Sequence, residues 1–433
     1  MRCHNLPEFI HFAAAIAPQS PPTLDTYLNR RLLLKSLVAA GGLSLSGCKL
    51  PITPGGTEPE RLAPNDRARF LAPLRARSDR IFDITVCLRP FRAAGPRLDT
   101  ERIRDTLVVH NYGHGGSGWS LSWGSSTLAV NKALTALPDR VAVVGCGVMG
   151  LTSALLAQAA GKPVTIYTRD LIQQAPSARA TGSFTPDSRI ALSDAVSPEF
   201  PALWEEMART SLKAFRSHLG LPGDPVRWVD RYIVSNSVLP VAHSPAESEL
   251  HFATYGGRLA DVFPRGENLR PGDTPFRAAS VRRRSIPVFN IASYSHMLMT
   301  QFRLAGGRIE HREFHDPGQL ADLPEKVVIN CTGYGARALL RDDSVVPVRG
   351  QIAWLIPQPE FDYALAYQDV NVIPRSDGIV VQNVAGGDMR GYNEDSTVPD
   401  REEADATVAS LAAFYSNFRP ATRAAAARNN DRA

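Results

Sequence analysis

RVAVVGCGVMGLTSALLAQAAGKPVTIYTRD, residues 140–170, presents a strand, a glycine turn, a helix and a second strand in that order. Val141 to Val144 make a short apolar strand, after which Gly145, Gly147 and Gly150 fit the pattern G-x-G-x-x-G. The first glycine permits a tight turn, the second lets backbone approach a pyrophosphate, and the third lets the helix lie close on the strand. Val148 and Met149 complete the binding turn. The Leu- and Ala-rich run from Met149 to Ala160 is the helix, Gly161 is placed to cap it, and Pro163 to Tyr167 supplies the second strand. The helix N-terminus then points at the phosphates. Asp170, about twenty residues beyond Gly150, stands where an acidic ribose ligand is expected. Cys146 reads as a small filler, because no neighbouring charge in sequence would lower its pKa. These residues predict an α/β dinucleotide-binding fold. They do not choose between NAD and FAD.

Upstream, LVVHNYGHGGSGWSLSWGSS (107–126) packs four glycines into the six residues 113–118 and so exposes backbone N–H groups to an electron-rich ligand. This string resembles the flavin-proximal motif of the D-amino acid oxidase family, in which the turn opens a helix facing the flavin ring and ribityl chain. The resemblance implies FAD as cofactor and places Gly115, Gly116, Ser117, Gly118, Trp119 and Ser120 on it, with Ser117 also reaching the substrate. His114 is expected to order its own turn rather than transfer a proton. His296, on a predicted helix from Ile291 to Ala305, is expected to be a packing residue.

Three further segments resemble the same family. In TRDLIQQAPSARATGSFTPDS (168–188), Arg169 and Asp170 would lie at the adenosine end, and Ser177, Gly182 and Ser183 nearer the pyrophosphate and flavin. Phe314 falls near the adenine by the same match. KVVINCTGYGARALLRDDSVVPVRGQ (326–351) would close the cofactor domain, and CLRPFRAAGPRLDTERI (87–103) would present the substrate-binding arginine. A planar guanidinium suits a carboxylate because two parallel N–H donors meet two oxygens. Arg89, Arg92 and Arg97 compete for that role by sequence alone, and the match to LRPFR selects Arg89. Tyr367, in ALAYQDVNVIPRSDG (364–378), would cover the substrate, an ordinary half-buried strand tyrosine being the competing reading. Four residues later the family's second tyrosine is replaced by Asn371, which opens the pocket. The family's paired glycines after that strand give way to Gln382, Asn383 and Val384 before Gly386 and Gly387.

The order of segments also departs from the family. Here the arginine and NYGHGG segments precede the glycine fingerprint instead of closing the chain, so the sequence reads as a circular permutation. The fold expected is α/β: a Rossmann-like FAD-binding domain (106–190 and 291–345) with an interleaved α+β substrate domain on a mixed sheet (79–105, 191–290 and 346–418). The resemblance implies oxidative deamination of a D-amino acid: hydride passes from Cα to flavin N5, and the products are a 2-oxo acid, ammonia and hydrogen peroxide. Two other readings fit the same residues. One is a related amine or imino-acid dehydrogenase that passes electrons to a membrane acceptor; the other is an FAD-binding protein without turnover, suggested by Asn371 and the missing glycine pair.

Of the 433 residues, 44% are hydrophobic and 21% charged, the balance of a globular protein. The net charge of +5 resides entirely in residues 1–47 and 419–433. The intervening body is neutral and offers no basic stripe for nucleic acid. Cys3, Cys48, Cys87, Cys146 and Cys331 show neither CxxC pairing nor the spacing of a disulfide framework, and no residue cluster suggests a metal. In NRRLLLKSLVAAGGLSLSGC (29–48), Arg30 and Arg31 precede a short apolar run that ends in a lipobox-like Leu-Ser-Gly-Cys. This layout predicts an export signal over 1–47, export in the folded state by the twin-arginine route, and a periplasmic lipoprotein tethered through Cys48. Residues 48–78 read as a linker and 419–433 as a disordered tail.

Overall fold

The computed structural model describes residues 71–237, 250–270 and 273–419. The expected signal over 1–47, Cys48, most of the expected linker and residues 420–433 lie outside them. Along the chain come β1 (Ile81–Phe91), β2 (Thr100–Ile103), β3 (Thr106–His110), α1 (Gly118–Leu134), β4 (Val141–Val144), α2 (Val148–Ala159) and β5 (Val164–Thr168). Next are α3 (Phe200–Ser217), β6 (Val226–Ser235), β7 (Glu267–Leu269), β8 (Ser280–Phe289), α4 (Ile291–Leu304) and β9 (Arg308–His311). The remaining elements are β10 (Val327–Asn330), α5 (Ala336–Leu339), β11 (Val346–Leu355), β12 (Ala364–Tyr367), β13 (Val370–Arg375), β14 (Gly378–Asn383) and α6 (Arg401–Ser416).

Among the described residues the strands form two sheets. A six-stranded sheet has the order β2-β3-β10-β4-β5-β9, parallel from β3 to β9, with β2 antiparallel at one edge. All four residues of β4 and of β10 are buried, as expected for strands covered on both faces. On one face, Val143, Ile166 and Ile329 pack with Leu151 of α2, Leu298 and Phe302 of α4 and the helices α1 and α3; on the other, Val108, Ala142, Val144 and Val328 meet Leu320 and Leu339. The predicted strand–helix–strand unit around Gly145 is therefore present, with the helix beginning at Val148 and the second strand at Val164.

The larger sheet has eight strands in the order β1-β11-β14-β13-β12-β6-β8-β7. Its pairs are antiparallel except β12 with β6. One face, including Leu365, Val372, Ile379 and Val381, is covered by Val408 and Leu411 of α6. The other face, including Val229, Ile352, Ile373 and Val380, borders the candidate site.

The expected segment boundaries shift in two places. Residues 79–105 are expected in one domain, yet β1 joins the large sheet and β2 the small one, because β2 hairpins directly onto β3. The end of the expected linker is not a tether: Leu71, Leu74 and Ala76 are buried under α6, and Tyr363 Oη donates to the Ala72 carbonyl at 2.9 Å. Nonpolar burial of those side chains holds the segment to the body. His296, expected to pack, is exposed on the outer face of α4.

Helices α1 and α3 touch backbone to backbone at Gly124, where a Cβ would lie 2.1 Å from the Met207 carbonyl oxygen. Two effects oppose each other in Gly124→Ala: helix propensity favours Ala by about 1 kcal/mol, whereas overpacking costs about 1–3 kcal/mol. Backbone cannot rotate away, so we expect net destabilisation, measured as a lower urea midpoint; an unchanged or higher midpoint would contradict the crossing.

Candidate active site

β4 runs into Gly145, whose φ of +101° is accessible to glycine and strained for other residues. A Cβ at Gly145 would lie 2.6 Å from the Cys331 carbonyl oxygen at the end of β10, and one at Gly150 would lie 1.9 Å from the Gly145 carbonyl oxygen. Gly147 is the N-cap of α2, and the Ser177 hydroxyl accepts from the Val148 N–H at 3.2 Å. A bare backbone turn at a helix N-terminus fits a pyrophosphate, both by its N–H groups and by its dipole.

This turn opens on a cavity of about 530 Å³ outside the C-terminal ends of β3, β10, β4, β5 and β9. That is the edge where open α/β sheets bind nucleotides. Arg169, Asp170 and Phe314 line it at the ends of β5 and β9. Asp170 accepts from Arg169 Nε at 2.8 Å, Arg169 also reaches Glu313 at 3.2 Å, and the Arg312 guanidinium sits 5.0 Å from the centre of the Phe314 ring. Val148, Met149, Ser177, Trp119, Gly115, Gly116 and Gly118 complete the lining named from sequence. Cys146 also lines it, and burial pushes its thiol up to about 11, which keeps it protonated as a filler.

The NYGHGG turn is anchored on both sides. The Gly115 N–H donates to the Pro90 carbonyl at 2.8 Å and the Gly116 N–H to Ser188 at 3.0 Å. A Cβ at Gly115, where φ is +53°, would lie 1.8 Å from the Arg189 carbonyl oxygen. His114 Nε2 is 2.7 Å from Ser125 Oγ, which donates to Asn111 Oδ1 at 2.6 Å. Complete burial lowers the His114 pKa to about 3, so the ring is neutral and ties the turn to α1. Three expected site residues are spent on such anchoring rather than on the cavities. Ser117 is buried and donates to the Ser188 carbonyl at 3.0 Å. Ser120 accepts from the Thr185 N–H at 2.8 Å. Gly182 is stitched to β8, its carbonyl accepting from the Phe289 N–H at 2.6 Å.

A second cavity of about 980 Å³ lies against the large sheet, and Arg89, Gly116 and Thr181 line both cavities. The three candidate arginines separate clearly here. Arg97 pairs with Asp99 and Glu101, and Arg92 stands 3.6 Å from Asp342, whereas Arg89 has no acidic partner among the described residues. Arg89 donates to the Arg349 carbonyl at 3.1 Å, and its guanidinium covers Gly350, where a Cβ would lie 2.2 Å from it.

Tyr367 does not reach this cavity, although Ala366 and Asn371 do. Side chains alternate along β12, so Tyr367 turns to the α6 face. There its ring packs 4.3 Å from Phe414, and its hydroxyl accepts from Asn236 at 3.1 Å. Asn371 is on the cavity face beside Gln382, with a buried Oδ1 that has no hydrogen-bond partner. Ser183 lines the same cavity, and Arg189 holds the Gly387 and Asp388 carbonyls at 2.7 and 2.8 Å. Burial and the nearby Arg89 lower the Arg189 pKa to about 10. Sequence reasoning missed Arg231, in the middle of β6. It faces this cavity, and burial with the neighbouring Arg284 lowers its pKa to about 10. The available signal was alternation: in VRWVDRYIVS, Arg231 shares a face with Arg227, Val229 and Ile233, a charge set between two β-branched apolar residues.

Residues 140–430 match the model of the DAO family, described as FAD dependent oxidoreductase. The chain belongs to this family. FAD is accordingly its cofactor, and the glycine cradle fits it. A D-amino-acid oxidase of Rubrobacter xylanophilus is 29% identical over 290 residues, which span 65% of this chain and 79% of that protein. One from Streptomyces coelicolor is 28% identical over 281 residues, spanning 63% and 77%. A glycine oxidase structure from Geobacillus kaustophilus aligns over 59% of this chain and 76% of its own, with 15% identity and a TM-score of 0.39.

The Gly150 contact yields a direct check on the cradle. Gly150→Val should purify with less than about a tenth of the bound flavin of the parent, since the helix must move off the strand to admit the side chain. Flavin absorbance per protein measures this, and a fully loaded variant would contradict the geometry.

Proposed function

We propose that the protein oxidatively deaminates a D-amino acid to the 2-oxo acid and ammonia, with oxygen reduced to hydrogen peroxide. The observation that carries this reading is Arg89: a guanidinium with no acidic partner among the described residues, placed where the nucleotide cavity and the sheet-face cavity meet. It would take the substrate carboxylate on two parallel donors and so orient the Cα–H. FAD, when bound, supplies the two-electron acceptor and returns those electrons to oxygen.

The polypeptide's share is positioning and electrostatics. Arg89, Arg189 and Arg231 make the cavity positive, which favours the substrate's carboxylate and disfavours an ammonium, so the reactive free amine is promoted without a side-chain base. His114, neutral and tied to Ser125, is not placed to take a proton. Asn371, where the family's second tyrosine is missing, leaves room for the substrate's own side chain, and the small Ala366 lines the same cavity.

The reading includes export of the folded, flavin-loaded protein and tethering through Cys48, supported by the Arg30–Arg31 pair and the lipobox-like end of residues 29–48. It also includes circular permutation. In support, β3 and α1 precede β4 in sequence yet neighbour β10 and α2 in space. The segment 79–139 thus completes a sheet whose family match begins at residue 140.

Peroxide release during turnover tests the reading. We expect D-amino acids, and not their L-isomers, to generate peroxide. Arg89→Leu should lower kcat/KM by roughly a thousandfold, given about 4 kcal/mol for losing a charged bidentate partner, while retaining flavin. Equal rates for the two isomers, or an Arg89→Leu enzyme of unchanged efficiency, would overturn it.

A further inference from the structure

The sheet-face cavity contains a second guanidinium for which the fold supplies no counter-charge. Arg231 lies on β6 beside Ala364 and faces the same cavity as Arg89. Its Nε is buried with no hydrogen-bond partner, and it has no ion pair among the described residues. Directly across the β6–β8 pair stands Arg284, so two like charges oppose each other on neighbouring strands. Such a placement is destabilising in itself, and an uncompensated, largely desolvated cation costs more. An arrangement of this kind is stabilised when an anion arrives. Asn371, two strands away on β13, lines the same cavity and offers an amide whose oxygen is unpartnered, and Gln382 stands opposite it on β14.

The acidic residues of the cavity do not neutralise this wall. Asp388 pairs with Arg189 at 3.3 Å and Glu403 with Arg390 at 2.8 Å, while Asp400 caps α6 through the Glu403 N–H at 2.9 Å. Glu394 and Glu402 are exposed at the rim. Among the described residues, Arg89, Arg231 and Arg349 are the lining arginines left without a carboxylate, and of these Arg349 is held by Gln351 Oε1 at 3.2 Å and the Val398 carbonyl at 2.8 Å.

We infer that the substrate is an acidic amino acid: Arg89 receives its α-carboxylate, and Arg231, in the cavity that Asn371 also lines, receives the carboxylate of its side chain. The inference rests on the oxidase reading above and adds the chemical class of the side chain. D-aspartate and D-glutamate carry the required second carboxylate, whereas D-asparagine and D-glutamine match them in shape without its charge. Truncating Arg231 then removes one charged partner from the acidic substrates and nothing from the amides.

The test separates recognition from turnover. Using the flavin-loaded protein, the binding of succinate and of butyrate, equal in carbon count, is read from the perturbation of the flavin absorption band. Succinate should bind roughly a hundredfold more tightly, as expected for about 2–3 kcal/mol from one charged hydrogen-bonded pair. Arg231→Met should abolish that difference, and Arg231→Lys should restore part of it. Should the methionine variant fail to load flavin, the lysine variant and the unmodified protein still decide the matter through the succinate-to-butyrate ratio and its decline with salt. Equal binding of the two acids by the unmodified protein overturns the inference. Kinetics provide the second arm: kcat/KM for D-aspartate or D-glutamate should exceed that for the matching amide at least tenfold. A preference for the amides or for D-alanine overturns the acidic side chain and leaves the oxidase reading standing. Selective succinate binding with no amino acid reducing the flavin supports the anion site and defeats the oxidase reading.

Discussion

Three close approaches of backbone to backbone hold the site together: Gly150 against Gly145, Gly145 against Cys331, and Gly115 against Arg189. At each one an added Cβ would fall below 3 Å from a carbonyl oxygen, so side chains are excluded and the backbone itself forms the wall. The first two bring the N-terminus of α2 onto the ends of β4 and β10. The third clamps the NYGHGG turn to the loop that follows the nucleotide cradle. Without these contacts the cradle, the turn and Arg89 would not converge on one place, because they come from chain segments separated by strands of both sheets. Backbone walls are also inflexible, which suits a catalyst that works by positioning.

On that frame the polypeptide sets an imbalance of charge. Several arginines near the site are neutralised, Arg92 by Asp342 and Arg97 by Asp99 and Glu101. Arg89 and Arg231 are not. The stability lost by keeping such groups unpaired in a partly desolvated cavity is the kind of local cost that functional sites carry. The NYGHGG turn contributes no charge of its own, its histidine being neutral, and Ser117 and Ser120 beyond it are hydrogen-bonded to backbone. Electrostatics and architecture are thus divided between different segments.

How much of this was legible depended on whether a residue's role is local. The strand–turn–helix around Gly145, the helix opened by Gly118 and the strand after Gly307 follow from apolar runs and glycine placement, and all are present. Arg89 could be singled out only by resemblance: Arg97 meets carboxylates two and four residues on, but Arg92 is set apart by Asp342, which a distant segment brings. Tyr367 shows the opposite failure. Its position in the motif was clear, yet the phase of β12 and the covering helix α6 decide which way it faces, and neither is encoded within the motif. The structural duties of Ser117, Ser120 and Gly182 depend on Ser188, Thr185 and Phe289, which lie elsewhere in the sequence. Arg231 was overlooked because a charged residue in a half-polar strand reads as solvated until its neighbours are known. Residues 71–78 read as tether because three apolar side chains without period give no signal until α6 is in place to cover them.

The account's central claim is that this cavity orients a D-amino acid against the flavin. Anaerobic titration of the purified flavoprotein with matched D- and L-amino acids tests it most directly, because reduction of the flavin reports the chemical step without reference to oxygen or any later acceptor. The account predicts that the oxidised flavin band bleaches with D-amino acids and persists with their L-isomers. A band that bleaches with neither, or equally with both, would contradict it.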